Sequence, residues 1–135
     1  DRDWSSDVCS SDLHGKNFSI LYGDEGPRLA PLYDLLATVA YPDLSPKFAM
    51  KIGKRATLAE LDAKGWAAFA ADVGIGLPLM RRRVAEISKG VLEKATAVAE
   101  ELARPELDRT AIEQFANMIR DRADRCALTI AGAMR

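Results

Sequence analysis

The sequence predicts a mainly α, α+β fold: a short N-terminal β-hairpin followed by a helical bundle. Three observations predict it. Phe18, Ile20 and Tyr22 alternate with Ser19 and Leu21 ahead of a turn cluster at Gly23, Asp24, Glu25, Gly26 and Pro27, the pattern of a strand entering a hairpin. Met80, Val84, Ile87, Val91, Ala95, Val98 and Leu102 recur at steps of three and four, one helical stripe. Ile112, Phe115, Ile119, Ala123, Cys126 and Ile130 form a second stripe after Pro105.

Arg28 to Tyr33 is expected to be extended, because Pro27 and Pro31 suppress helix around them. If the loop is the four residues Asp24 to Pro27, paired positions sum to 51 and Asn17 falls opposite Asp34. Leu35, Leu36, Val39 and Ala40 suggest a short helix closed by Pro42. Phe48 to Ile52, between Pro46 and Gly53, reads as a short extended segment. Thr57 with Glu60 forms a capping box for a helix over about 58–72, ended by Gly74 and Gly76. Its buried face is expected at Leu58, Leu61, Phe69 and Val73, with Gly65 a point of close packing. Pro78 suits the start of the next helix. Thr110 with Glu113 forms a second capping box. The two long helices should pack antiparallel, their seams dominating stability at about 1.5–3 kcal/mol per fully buried aliphatic side chain.

At 135 residues the chain is one domain at most. It has 48% hydrophobic and 29% charged residues, an ordinary globular balance. No run approaches the roughly 20 apolar residues of a membrane span, and the N-terminus has no signal-peptide apolar region, so a cytoplasmic location is expected. The formal net charge of -1 gives no reason to expect direct nucleic-acid binding. Arg81, Arg82 and Arg83 are followed by Glu86, Glu93 and Glu100, which suits a solvated face better than a nucleic-acid patch. Two cysteines, Cys9 and Cys126, make no disulfide framework. His14 is the only histidine, so a histidine-based metallohydrolase centre is not expected. Trp66 and Phe69, at helical spacing, read as core.

The stretch Asp12-Leu13-His14-Gly15-Lys16-Asn17-Phe18-Ser19, with Pro31-Leu32-Tyr33-Asp34 after the turn cluster, carries the chemistry. An Asp, an amide five residues later and a second Asp beyond a hairpin are the order in which protein kinases place a catalytic base and two metal ligands. Directly opposed residues of an antiparallel pair lie about 4.5–5.5 Å apart at Cα, so an amide and a carboxylate there could share one magnesium ion, which binds oxygen at about 2.0–2.1 Å. Asp34 also suits the N-cap of the helix at Leu35, and the two roles are compatible.

Asp12-x-His14-x-Lys16-Asn17-Phe18-Ser19 followed by Leu29-Ala30-Pro31-Leu32-Tyr33-Asp34 resembles the C-terminal, catalytic region of the HipA-like serine/threonine kinase toxins. Leu35 to Tyr41, Ala49 to Gly53 and Trp66-x-x-Phe69 also fit. The resemblance spans residues 14–135 and implies a kinase C-lobe-like domain whose N-lobe lies outside this sequence. It implies that Asp12 is the catalytic base, that Lys16 lies near the transferred phosphate, and that Asn17 and Asp34 bind Mg2+ and, through it, ATP. It further implies a protein substrate, with aminoacyl-tRNA synthetases among the candidates, and a DNA-binding HipB-like antitoxin as partner. The alternative is a non-catalytic helical interaction module or pseudokinase. Asp3 to Leu13 resembles the translation of a sequencing adapter, so residues 1–13 are expected to be non-native. Asp12 would then owe its place to the join.

Overall fold

The computed structural model describes residues 9–11, 18–32 and 38–132. They fall into two compact units, one ending at Lys51 and one beginning at Ile52. The fold is mainly α with short strands, as the sequence predicts.

The first unit is built from short strands. β1 (Cys9–Ser11) pairs in parallel with β4 (Ser45–Ile52), with a register irregularity between its two paired positions. β1 lies within residues 1–13, where the sequence shows no strand periodicity. β4 begins earlier than the Phe48 to Ile52 segment expected and carries Pro46. β2 (Ile20–Gly23) and β3 (Gly26–Leu29) form the expected antiparallel hairpin.

The hairpin's register differs from the one expected. Ile20 faces Leu29, Leu21 faces Arg28, Tyr22 faces Pro27 and Gly23 faces Gly26, so paired positions sum to 49 and the loop is Asp24-Glu25 alone. The Ala30 amide donates to the Ser19 carbonyl at 2.8 Å, which extends that register outward. Hydrogen-bonded and non-hydrogen-bonded pairs alternate along an antiparallel ladder. Counting from the Ser19 and Ala30 pair puts Pro27 at a non-hydrogen-bonded position, where its missing N–H costs no ladder bond. Assigning Pro27 to the loop overlooked that tolerance. Gly26 enters β3 at φ +99°, a conformation that L side chains rarely adopt.

Residues 33–37, and with them most of the helix expected after Asp34, lie outside the described residues. Thr38–Ala40 forms one turn of 3-10 helix, with Thr38 buried.

The second unit opens on a turn and ends in three helices. Gly53 (φ +50°) and Lys54 (φ +69°) reverse the chain into β5 (Arg55–Thr57). Then come α1 (Ala63–Asp72), α2 (Leu77–Glu101) and α3 (Arg109–Ala131).

Both expected capping boxes are displaced by an aspartate. Glu60 does donate its amide to Thr57 Oγ1 at 3.3 Å, and its carboxylate accepts the Ala56 amide at 2.9 Å. These bonds close a turn over 58–60 rather than open a helix. α1 starts five residues later than expected because Asp62 Oδ1 accepts the Gly65 amide at 2.7 Å and takes the N-cap. In the same way Asp108, accepting from the Thr110 and Ala111 amides, caps α3, while Glu113 pairs with Arg109 inside the helix.

The core is Leu61, Trp66, Ala70, Met80 and Ile130, with Leu58, Phe69, Val84 and Cys126 packed around it. Trp66 meets Phe69 edge to face at 6.5 Å. The indole Nε1–H donates to Thr129 Oγ1 at 3.0 Å, and that hydroxyl donates to the Arg125 carbonyl at 2.9 Å. Thr129 is 1% exposed, so the bond joins α1 to α3 inside the core. Arg125 donates Nε to the Leu58 carbonyl at 2.9 Å and Nη2 to the Ala59 carbonyl at 2.7 Å, tying the 58–60 turn to α3. Gly65 is the close-packing point the sequence predicts. A Cβ on Gly53 would overlap the Gly65 carbonyl oxygen, so only glycine fits.

α2 and α3 form an antiparallel hairpin: Met80 shares the core cluster with Ile130, and Arg120 reaches Thr96 nearer the connection. The two stripes are buried over only part of their length. Ile87, Val98, Leu102, Phe115 and Ile119 are exposed, as is Val73, expected on the buried face of α1. Lengths explain this. At about 1.5 Å per residue, ten-residue α1 spans roughly 15 Å and 25-residue α2 roughly 38 Å, so α1 covers only one end of the hairpin. Among the described residues no helix is long and apolar enough to cross a membrane.

Candidate functional site

Asp12, Lys16 and Asn17, together with His14, lie outside the described residues, and so does Asp34. The structure describes the ribbon that separates Asn17 from Asp34. Its ladder runs from Ser19 and Ala30 to the Gly23 and Gly26 closure. The described pairs sum to 49, where the expected opposition of Asn17 and Asp34 assumes a sum of 51, and that opposition itself falls outside the described residues.

The ribbon's apolar side chains are turned to solvent. Ile20 is 57% and Tyr22 83% exposed, and Leu21 and Leu29 are also exposed. Among the described residues no group of three or more His, Cys, Asp or Glu side chains could hold a metal ion.

Electrostatics in the second unit belong to its architecture. Arg55 meets Asp62 through Nε to Oδ1 at 3.1 Å and Nη2 to Oδ2 at 3.0 Å, a bidentate pair. The bond from Arg55, then the Gly65 amide, holds the Asp62 carboxyl below the ordinary carboxylate range. The same pairing raises Arg55. Cys126 is a free thiol pushed up by burial, which argues against a poised nucleophile. Arg81, Arg82 and Arg83 are exposed, and the latter two pair with Glu86, as a solvated face would.

Two openings flank the distal half of the α2–α3 hairpin. One, of about 510 Å³, is polar at Thr96, Asn117 and Arg120, where Arg120 donates to Thr96 Oγ1 at 3.1 Å and to Asn117 Oδ1. The other, of about 380 Å³, is lined by Val98, Leu102, Leu107, Phe115 and Ile119 among others. The sequence reading missed the second, although the unequal helix lengths announce it.

Comparison with known proteins bears on the chain as a whole. The HipA-like C-terminal domain matches residues 8–99, a span that contains Asp12, Lys16, Asn17, Asp34 and the whole ribbon. Over 123 residues the chain is 54% identical to a Sinorhizobium fredii protein named "Putative kinase Y4mE", covering 91% of this chain and 29% of the relative. It is 30% identical over 98 residues to "Putative kinase Y4dM" of the same organism, covering 72% of this chain and 23% of the relative. The chain thus spans less than a third of each relative's length. With the family's domain matched across more than half of its residues, this chain belongs to the HipA-like C-terminal domain family.

Proposed function

We propose that this chain is the catalytic end of an ATP-dependent serine/threonine protein kinase of HipA type, completed by an N-lobe outside this sequence. The observation that carries the reading is the tight β2–β3 ribbon between Asn17 and Asp34, set within the family match. An amide oxygen and a carboxylate are the donors a hard divalent cation takes, and bound Mg2+ would neutralise charge on the phosphates during transfer. Asn17 and Asp34 hold that ion in this reading. Asp12, or whichever residue natively occupies its position, accepts the substrate hydroxyl proton, and Lys16 lies beside the transferred phosphate.

The sequence contains no glycine-rich phosphate loop or strand lysine of the kind that grips ATP in kinases. The 135 residues alone should therefore not turn over ATP, and a phosphotransfer assay on them should read background. The resemblance extends the proposal to a toxin kinase in the cytoplasm, a protein substrate such as an aminoacyl-tRNA synthetase, and a DNA-binding HipB-like antitoxin. The test is ATP titration of the full-length reading frame containing this sequence, with and without Mg2+. Asn17→Ala and Asp34→Ala should each remove the Mg2+-dependent part of binding. Unchanged binding in both variants would favour the non-catalytic interaction module.

A further inference from the structure

We propose that the uncovered distal groove of the α2–α3 hairpin is a self-association surface, into which the hairpin tip of a second copy packs antiparallel about a two-fold axis. The groove is the outward continuation of the trough that α1 fills at the other end, where Trp66 and Ala70 pack with Met80 and Ile130. Beyond α1 the same faces present Val98, Leu102, Phe115 and Ile119, each 37–49% exposed. Leu107 closes the outer end.

Charge selects the occupant. Arg122 falls one turn from Ile119 and two from Phe115 on α3, a spacing that continues their stripe just inside the residues that line the groove. It is half-buried, and burial lowers its pKa with no carboxylate among the causes. Among the described residues it enters no ion pair; Arg125, its near neighbour, is spent on the Leu58 and Ala59 carbonyls. A half-buried guanidinium with no carboxylate partner among the described residues is the complement of an acidic segment. The hairpin tip supplies one. Residues 100–108 hold Glu100, Glu101, Glu106 and Asp108 against the single cation Arg104, and Glu101 and Glu106 enter no ion pair among the described residues. An antiparallel overlap of two distal halves lays each copy's acidic tip beside the other's Arg122 and buries both apolar stripes in a four-helix arrangement. The exchange is reciprocal, as a two-fold interface requires. This inference does not depend on the phosphotransfer reading.

Sedimentation equilibrium of the 135-residue chain tests it. The mass should rise with concentration from 14.7 kDa toward twice that value, within the micromolar range. Phe115→Glu should weaken association at least about tenfold, equivalent to roughly 1.4 kcal/mol, with unchanged far-UV circular dichroism. Arg122→Glu, and separately Glu101→Lys with Glu106→Lys, should each weaken it, and the three substitutions combined should restore it. A chain that stays monomeric to about 500 µM, where even a weak complex of Kd near 100 µM would be largely formed, overturns the proposal and leaves the groove to another segment or protein. Association indifferent to Phe115→Glu, or charge reversals that fail to rescue one another, overturns it as well.

Discussion

The β2–β3 ribbon and the helical unit beginning at Ile52 are built on opposite economies. The ribbon leaves Ile20, Leu21, Tyr22 and Leu29 in solvent and holds its shape through a two-residue loop and a short ladder. An isolated two-stranded hairpin is marginal in water. The helical unit buries Leu61, Trp66, Ala70, Met80 and Ile130, caps its helices with Asp62 and Asp108, and ties its turn to α3 through Arg125. The residues proposed for chemistry flank the first, and stability resides in the second. Substitutions in the ribbon should therefore change function with little effect on folding, and substitutions in the helical unit should do the reverse.

That contrast can be broken at several points. The largest effect is expected from Gly53→Ala, which sets a Cβ against the Gly65 backbone at a left-handed φ. It should cost at least about 3 kcal/mol in urea denaturation followed by helical circular dichroism. Thr129→Val removes the partner of the buried Trp66 Nε1–H and should cost about 1–3 kcal/mol. Asp62→Ala removes the α1 cap and should cost about 0.5–2 kcal/mol. In the ribbon, Tyr22→Ser should move the same unfolding transition by no more than about 0.5 kcal/mol, since Tyr22 is 83% exposed. A larger shift would show that the helical unit's stability depends on the ribbon, and the contrast would fail.

Acid titration sharpens the comparison. The folded-state pKa of Asp62 is depressed by Arg55 and the Gly65 amide, so more protons bind to the unfolded state there. Its contribution to stability is complete above the unfolded carboxylate value, about pH 4, and is lost as pH falls through the lower folded value. The wild type should lose stability below about pH 4 more steeply than Asp62→Ala in the helical transition. Parallel curves would remove Asp62 from the account.

Much of this architecture is legible in the residues. Pro78 and the Leu, Val and Ile periodicity mark α2, and Gly65 reads as a close-packing point because few other roles suit a glycine inside a helix. The helix starts are not legible from the capping-box pattern. Asp62 and Asp108 stand close to Thr57 and Thr110, and at the start of α1 the competition between adjacent caps is settled by tertiary partners: Arg55 engages Asp62, Arg125 engages the intervening turn. The hairpin register turned on whether Pro27 sits in the loop or the ladder, a choice made by the alternation of hydrogen-bonded pairs. Periodicity marks which side of a helix is apolar, and it does not reveal how far a neighbour reaches along it. The exposed half of the α2–α3 stripe follows from that. For the site itself, the spacing of Asp12, Asn17 and Asp34 carries the family resemblance, and the three residues lie outside the described ones.

The claim that Asn17 and Asp34 act on one cation is tested most directly by a double-mutant cycle on Mg2+ affinity in the nucleotide-bound, full-length reading frame. Ligands of a single ion are strongly coupled, so the Asn17→Ala, Asp34→Ala double variant should lose little beyond the weaker-binding single variant. Losses that simply add, or an affinity that neither substitution changes, would contradict a shared ion.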